Sequence, residues 1–299
     1  IKKMFDLIPN HLFYDKNIKW LDPGAGTGYF SVYLYFKLFQ TLKDIIPNDN
    51  ERSNHIIKYM IYMVEINDNH VEHLKEVFGE DSNIFNYNFL EVKIAPEEWK
   101  FDVVIGNPPF NYRGIKKVPT NTKLKKKHDG ATIWGDFVKR GMSLLKNDGY
   151  LCYITPSIWM KPDKSRLYHY IRQFKILKLH ALNNTKTNQI FKGEAQTPCA
   201  YYLLKKCSPD GYVDLFDYDQ NKYITYSLKP EIPIPVFGSS IVNKFCNKVN
   251  TTNKLQVFKS NLPSKNCILS NVIKKNYYIN IHTCRLNKLD PELVIKYSS

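Results

Sequence analysis

Cysteine is scarce and unpatterned in this chain of 299 residues. Cys152, Cys199, Cys207, Cys246, Cys267 and Cys284 form no Cys-x-x-Cys pair and no metal-ligand spacing with the histidines. That excludes a zinc ribbon or a dense disulfide scaffold, and the thiols read as the reduced ones of a cytoplasmic-type protein. No apolar run approaches the roughly 20 residues of a membrane span, and no signal sequence is visible. No glycine run has the Gly-x-Gly-x-x-Gly spacing of dinucleotide sites. Nor is there a convincing Pro-Asp…(Asp/Glu)-x-Lys nuclease pattern, since Glu91-Val92-Lys93 reads more simply as a turn at a strand end. Acids too are in short supply: 28 Asp and Glu stand against 43 Lys and Arg, a formal charge of +15. So large a positive field favours a polyanionic partner. What is present is enough apolar matter, 43% of residues, for one large α/β domain and a smaller appended one.

The most informative segment is Asn107-Pro108-Pro109-Phe110, directly after the apolar run Phe101-Asp102-Val103-Val104-Ile105-Gly106. Two consecutive prolines fix two φ angles and remove two backbone donors, so the chain leaves the strand in a stiff turn that can only accept hydrogen bonds. An exocyclic amino group on a planar base offers two N–H donors and a π-face. The Asn107 side-chain oxygen and the Pro108 carbonyl suit the donors, and Phe110 suits the face. The plain alternative is a proline-rich turn ending a buried strand.

Upstream, Ile18-Lys19-Trp20-Leu21-Asp22 predicts a strand, Pro23-Gly24-Ala25-Gly26-Thr27-Gly28 a glycine loop, and Tyr29 to Leu42 a helix. Strand, glycine loop and helix in that order make a cradle for a nucleotide-type cofactor, because glycine lets the backbone approach a ligand closely. A second strand-like run, Tyr59-Met60-Ile61-Tyr62-Met63-Val64, ends at Glu65, an acid suited to bridging two ribose hydroxyls. Ala131 to Lys146 predicts an amphipathic helix with Ile133, Trp134, Phe137, Val138, Met142 and Leu145 on one face, followed by an Asn147-Asp148-Gly149 turn and a strand at Tyr150 to Thr155.

Together these segments resemble the class I S-adenosylmethionine-dependent amino-methyltransferases, and within them the gamma-class DNA adenine-N6 methyltransferases of restriction-modification systems. The resemblance covers roughly residues 1 to 205. It implies an α/β, Rossmann-like fold: a mostly parallel seven-stranded sheet flanked by helices, with a partial C-terminal recognition domain. The implied organisation is a catalytic domain over residues 1–207 and the start of a DNA target-recognition region over 208–299. S-adenosyl-L-methionine is the implied cofactor. Its methionine end would be held by Asp22, Gly24, Gly26 and Gly28, its ribose by Glu65 and its adenine by Ile66. In the family an Asp-Phe pair touches the adenine; here the pair is Asn88-Phe89, and an asparagine oxygen loses the charge-assisted part of the bond. Phe137 is implied as a further adenine contact. Asn107, Pro108, Pro109 and Phe110 are implied as the catalytic turn, with Phe191, before the strand-like run Pro198 to Leu204, meeting the target base from its other face. Ile1 to Pro9 resembles the end of the family's N-terminal cofactor-binding helix without its Thr-Pro start, which suggests a fragment.

Arg113, Lys116, Lys117, Lys123, Lys125, Lys126 and Lys127 crowd the stretch after Phe110, with no acid until Asp129. Beside a base pocket, Lys125, Lys126 and Lys127 are candidates for clamping backbone phosphates; a solvated lysine-rich loop is the alternative. The expected partners are therefore double-stranded DNA and a separate or fused restriction endonuclease, with no membrane and no metal. The expected place is the cytoplasm, nucleoid-associated, or a host cell's cytoplasm for a viral protein. Other readings stay open at this point: an RNA or protein-glutamine methyltransferase with the same Asn-Pro-Pro turn, a nicotinamide-dependent oxidoreductase, and an inactive DNA-binding module on the same fold. Adenine and cytosine are not separated by Asn107 itself.

Overall fold

The computed structural model describes residues 1–91, 99–112, 132–162, 166–192, 197–248, 269–270, 278–282 and 294–298. It divides into two units, Ile1–Lys248 and Val249–Ser299.

The first unit is built on a nine-stranded sheet. Its strands are β1 (Trp20–Asp22), β2 (Ile61–Glu65), β3 (Asn83–Asn86), β4 (Phe101–Gly106), β5 (Leu145–Pro156), β6 (Lys175–Ala181), β7 (Cys199–Lys205), β8 (Tyr212–Asp217) and β9 (Lys222–Ser227). The helices are α1 (Lys2–Phe5), α2 (Tyr29–Thr41), α3 (Asp49–His55), α4 (Asp68–Phe78), α5 (Trp134–Leu144), α6 (Leu167–Ile171), α7 (Asn184–Ile190) and α8 (Ser239–Lys248). Strand order is β3-β2-β1-β4-β5-β7-β6-β8-β9. β3, β2, β1, β4 and β5 run parallel, and β7 enters antiparallel between β5 and β6. The second unit contains a three-stranded antiparallel sheet of β10 (Leu269–Ser270), β11 (Tyr278–His282) and β12 (Val294–Ser298), with β12 in the middle.

Central parallel strands are covered on both faces, which is why they read as unbroken apolar runs rather than alternating ones. All three residues of β1 are buried, as are Phe101, Val103, Val104, Ile105 and Gly106 of β4. Two cores result. One, under α5, gathers Leu21, Val104, Val138, Met142, Leu151 and Tyr153. The other gathers Met4, Phe5, Leu34, Leu38, Trp20, Val103, Ile105 and Cys152. α4 shows how local signals fix a helix. The Asn67 side chain accepts from the amides of Asn69 and His70 at its start, Gly79 at φ 89 ends it, and Val71, Leu74 and Phe78 form its buried stripe. Each of those side chains contributes roughly 1.5–3 kcal/mol on burial.

Several expectations need adjustment. The sheet has nine strands rather than seven, because β8 and β9 continue it past β6. Residues 208–248 accordingly lie in the same unit as residues 1–207, and the division into units falls after Lys248. The Asn147-Asp148-Gly149 turn is a bulge inside β5: Asp148 takes φ 63, and the register with β4 jumps from Phe101↔Leu145 to Val103↔Tyr150. The N-terminal segment makes a single helical turn, α1, before packing Leu7, Ile8, Leu12 and Phe13 into the core. β1 and β2 start later than expected, at Trp20 and Ile61.

Candidate active site

Asp22 and the glycine loop, Glu65 with Ile66, and Asn107 to Phe110 lie at the ends of β1, β2 and β4, while Asn88 and Phe89 follow β3, Phe137 lies on α5 and Phe191 follows α7. Backbone conformation explains the glycine loop. Gly26 at φ 54 and Gly28 at φ 86 occupy the left-handed region, and a side chain at Gly28 would also bring its Cβ to 2.7 Å from Leu74 Cδ2. Gly28 then caps α2, whose Val32 amide donates to its carbonyl at 2.8 Å. The Ala25 amide donates to the Val64 carbonyl at 3.1 Å, tying the loop to the end of β2.

Glu65 closes this loop from β2. Its Oε2 accepts from the Gly26 amide at 2.7 Å, and its Oε1 accepts from the amides of Ile66 and Asn67 at 3.0 and 2.9 Å. Three amides leave at least one lone-pair position of the carboxylate for a ligand hydroxyl. Next to it Ile66 is 63% exposed, an apolar side chain held in solvent beside an anchored acid.

Asp22 is different. It is buried, its Oδ2 accepts from the Ser31 hydroxyl at 3.1 Å, and its Oδ1 makes no hydrogen bond. Burial pushes its carboxyl up to about 7, against the pull of the Ser31 hydroxyl and the nearby Gly24 amide and with the Glu65 charge adding repulsion. A carboxylate half-satisfied in this way is costly unless a donor or a cation completes it. A Cβ on Gly106 would lie 3.0 Å from that Oδ1, so a glycine at the end of β4 is what lets Asp22 sit there.

The acceptor turn follows directly. Asn107 is exposed and Pro108 buried, and neither the Asn107 side chain nor the Pro108 carbonyl hydrogen-bonds to another described residue. Gly24 fixes the relation between turn and loop: a Cβ there would be 3.7 Å from Pro109 Cδ and 3.9 Å from Phe137 Cε1. Phe137 is buried and packs on Phe89 with ring centroids 5.1 Å apart. Asn88 turns its side-chain oxygen to the Leu90 amide at 3.1 Å. Phe110 and Phe191 meet edge to face at 6.1 Å, bringing two distant predictions into one aromatic wall. The chain after Phe110 is held at both ends. Asn111 pairs with Thr132 in an antiparallel bridge, and the Ile133 amide donates to the Phe110 carbonyl at 3.2 Å. Lys125, Lys126 and Lys127 lie outside the described residues. Among described residues no cluster of His, Cys, Asp or Glu is disposed to hold a metal.

Sequence reasoning missed Ser31 and Gly106, which set the state and position of Asp22. Ser31 has no distinguishing signal inside a helix of mostly apolar and aromatic residues, and Gly106 reads as a strand's last residue.

The model of the Eco57I restriction-modification methylase family matches residues 29–191. The chain belongs to that family. The match spans α2 through Phe191 and contains Glu65 and the whole acceptor turn. A relative, the type II restriction enzyme and methyltransferase RM.Eco57I of Escherichia coli, is 31% identical over 116 residues. That is 36% of this chain but 11% of the relative, so the chain covers about a tenth of its length. Among solved structures, the M protein of the type I restriction enzyme EcoKI aligns with a TM-score of 0.51 at 15% identity, over 69% of this chain and 46% of that one. A chain from a type I restriction-modification complex aligns with a TM-score of 0.50 at 15% identity, over 77% and 48%. At such identities the likeness is one of fold, that of the class I methyltransferases.

Proposed function

We propose that this chain is the catalytic part of a site-specific DNA methyltransferase, transferring a methyl group from S-adenosyl-L-methionine to the exocyclic N6 of an adenine turned out of the duplex. The observation that carries the reading is the nearness of the two motifs. A Cβ at Gly24 would lie 3.7 Å from Pro109 Cδ, and the Asn107 side chain and Pro108 carbonyl, next to it in the chain, make no hydrogen bond to another described residue.

The residues suit the cofactor. Glu65 would hold the ribose, Ile66 is an exposed apolar surface for an adenine, and the unpartnered Asp22 Oδ1 suits the cationic end. When bound, the cofactor supplies an electrophilic methyl group on a sulfonium. An aromatic amine is a poor nucleophile because its lone pair is delocalised into the ring. Two acceptors, the Asn107 oxygen and the Pro108 carbonyl, hold its two protons and favour a pyramidal nitrogen with its lone pair directed outward. No strong base is needed before attack. Orientation of this kind is worth up to about 7–11 kcal/mol of barrier. Phe110 and Phe191 offer ring surface to the base, offsetting the few kcal/mol that unstacking costs.

Double-stranded DNA is the proposed substrate, on the strength of the +15 charge and the basic run after Phe110. Neutralising Lys125, Lys126 and Lys127 together is expected to weaken binding to all sequences alike, the log–log salt slope falling by about 0.9 for each phosphate no longer neutralised. A restriction endonuclease, fused or separate, and a recognition region reaching into residues 208–299 complete the proposal. No described helix is long and apolar enough to cross a membrane, which suits work in the cytoplasm. The test is incubation with labelled cofactor and DNA, digestion to nucleosides and identification of the product. N6-methyladenine supports the reading. N4-methylcytosine corrects the base, and label in RNA or protein alone overturns it.

A further inference from the structure

β2 hands over to α4 through Glu65-Ile66-Asn67-Asp68-Asn69-His70. Asn67 caps the helix, its side-chain oxygen accepting from the Asn69 and His70 amides, so His70 is the third residue of the first turn. A Glu or Gln at that position commonly reaches back to accept from the amide of the capping residue. Here the Asn67 amide is already taken, donating to Glu65 Oε1 at 2.9 Å. The acid of the cradle stands in for the helix's own acceptor, and the imidazole is released from capping.

What the imidazole meets instead is Glu65 itself. His70 Nδ1 lies 3.8 Å from Oε1, is shielded from solvent and has no hydrogen-bond partner among the described residues, although the side chain as a whole is 41% exposed. Asp68, the other acid of this turn, is drawn toward β3, where its Oδ1 accepts from the Asn86 side-chain amide at 2.6 Å. A shielded nitrogen left without a partner is costly, and here a charged acceptor stands just beyond hydrogen-bond reach. Only the tautomer with hydrogen on Nδ1 makes this contact attractive, since a lone pair there would repel the carboxylate. The imidazole also restrains Glu65 from a direction of its own. Gly26 holds one oxygen from the glycine loop, Ile66 and Asn67 hold the other from the chain leaving β2, and His70 approaches from α4.

We propose that His70 is a positioning residue for the cofactor's ribose: with its hydrogen on Nδ1 it closes on Glu65 Oε1 when the cradle is filled, and keeps the free lone-pair position of Oε2 turned to the ligand. A nucleoside seated on Glu65 would shield this pair from water, which strengthens the attraction between N–H and carboxylate. The inference rests on the S-adenosylmethionine reading of the cradle, and His70 acts through Glu65 rather than on the ligand.

The probe is S-adenosyl-L-homocysteine, which carries the adenosine and amino-acid ends of the cofactor but has no methyl group to transfer, so titration calorimetry reads affinity without turnover. His70→Ala is expected to bind it roughly tenfold more weakly, the scale of one hydrogen bond to a charged group. His70→Asn, which can offer an N–H close to the place of Nδ1, is expected to recover affinity to within about threefold of wild type. In a Glu65→Gln background His70→Ala should cost no more than about twofold, because the charged acceptor through which it acts is gone. In 15N-labelled protein, the ring signals that His70→Ala removes should report hydrogen on Nδ1 in the complex, a signature that mere packing would not produce. Binding by His70→Ala within about twofold of wild type overturns the proposal, as does an equal loss in the Glu65→Gln background. So does a His70→Asn variant no better than His70→Ala, or hydrogen on Nε2 alone in the complex. If wild type does not bind S-adenosyl-L-homocysteine, the functional reading fails first.

Discussion

Two buried carboxylates, at opposite parts of the large sheet, have opposite fates. Asp22, beside the glycine loop, has one hydroxyl donor and an unpartnered oxygen, and burial carries it up to about 7. Asp217, at the end of β8, is also buried, and burial again raises it most. Yet the Ser239 hydroxyl and the amides of Asp219, Gln220 and Ser240 outweigh that cost and hold it at about 2. Both are shielded from solvent, but Asp22 is enclosed deep in the protein while Asp217 sits near its surface, so depth and donors act in the same direction. Asp217 is a knot that ties β8, its turn to β9 and the start of α8. Asp22 has unspent hydrogen-bonding capacity, as do Asn107 and Pro108. Under the proposed function the unspent capacity of Asp22, Asn107 and Pro108 lies where a ligand would bind, whereas that of Asp217 is used up in tying elements together.

If that contrast holds, changes in the first region should cost function and changes in the second should cost folding. Asn107→Ala is expected to have the largest effect, a loss of methyl transfer of about 100-fold or more with cofactor affinity kept within a few-fold, because an acceptor that orients the amine is gone. Single-turnover rates beside calorimetry check it; near-normal turnover would break the assignment. Glu65→Ala comes next, with cofactor binding at least about tenfold weaker through loss of a charged acceptor. Titration calorimetry reads this, and stronger binding of NADH than of S-adenosylmethionine would mean that the cradle belongs to another chemistry.

The carboxylates themselves give the smaller effects. Asp22 has a folded value above its unfolded one. Its ionisation costs nothing below about pH 3.8, and the cost grows up to about pH 7 and stays above it. Asp22→Asn should therefore raise the melting temperature at pH 8 more than at pH 4, while weakening cofactor binding. Asp217 has a folded value below its unfolded one, so its stabilisation is complete above about pH 3.8 and fades as pH falls through about 2. Asp217→Asn should lower the melting temperature at pH 7, with the gap closing toward pH 2, and leave methyl transfer intact at permissive temperature. Melting curves across pH test both, and the same sign of effect at pH 7–8 in the two variants would remove the contrast.

Much of the site could be read in the sequence because its parts are local. A glycine loop between an apolar strand and a helix, an acid at a strand's end and two prolines after another strand each carry their chemistry within a few residues. The distance between them is set by strand pairing, and the parallel order β2-β1-β4 brings Glu65, Asp22 and Asn107 together. The β8–β9 extension was not legible, because Tyr212–Asp217 and Lys222–Ser227 mix exposed tyrosines and lysines with only short alternation. An edge strand half in solvent needs no stronger pattern. The bulge in β5 was legible as turn chemistry but not as an interruption of a continuing strand, since only the register with β4 separates the two outcomes.

The Asn111–Thr132 bridge bears on how such a site can change over generations. It fastens the chain on either side of residues 113–131, together with the Ile133 amide on the Phe110 carbonyl. The acceptor turn thus has backbone anchors of its own, the bridge at Asn111 and the hydrogen bond at the Phe110 carbonyl, and both are made by residues outside 113–131. Substitutions within 113–131 are therefore expected to leave those two anchors in place, so that sequence drift there need not be matched by drift in the turn.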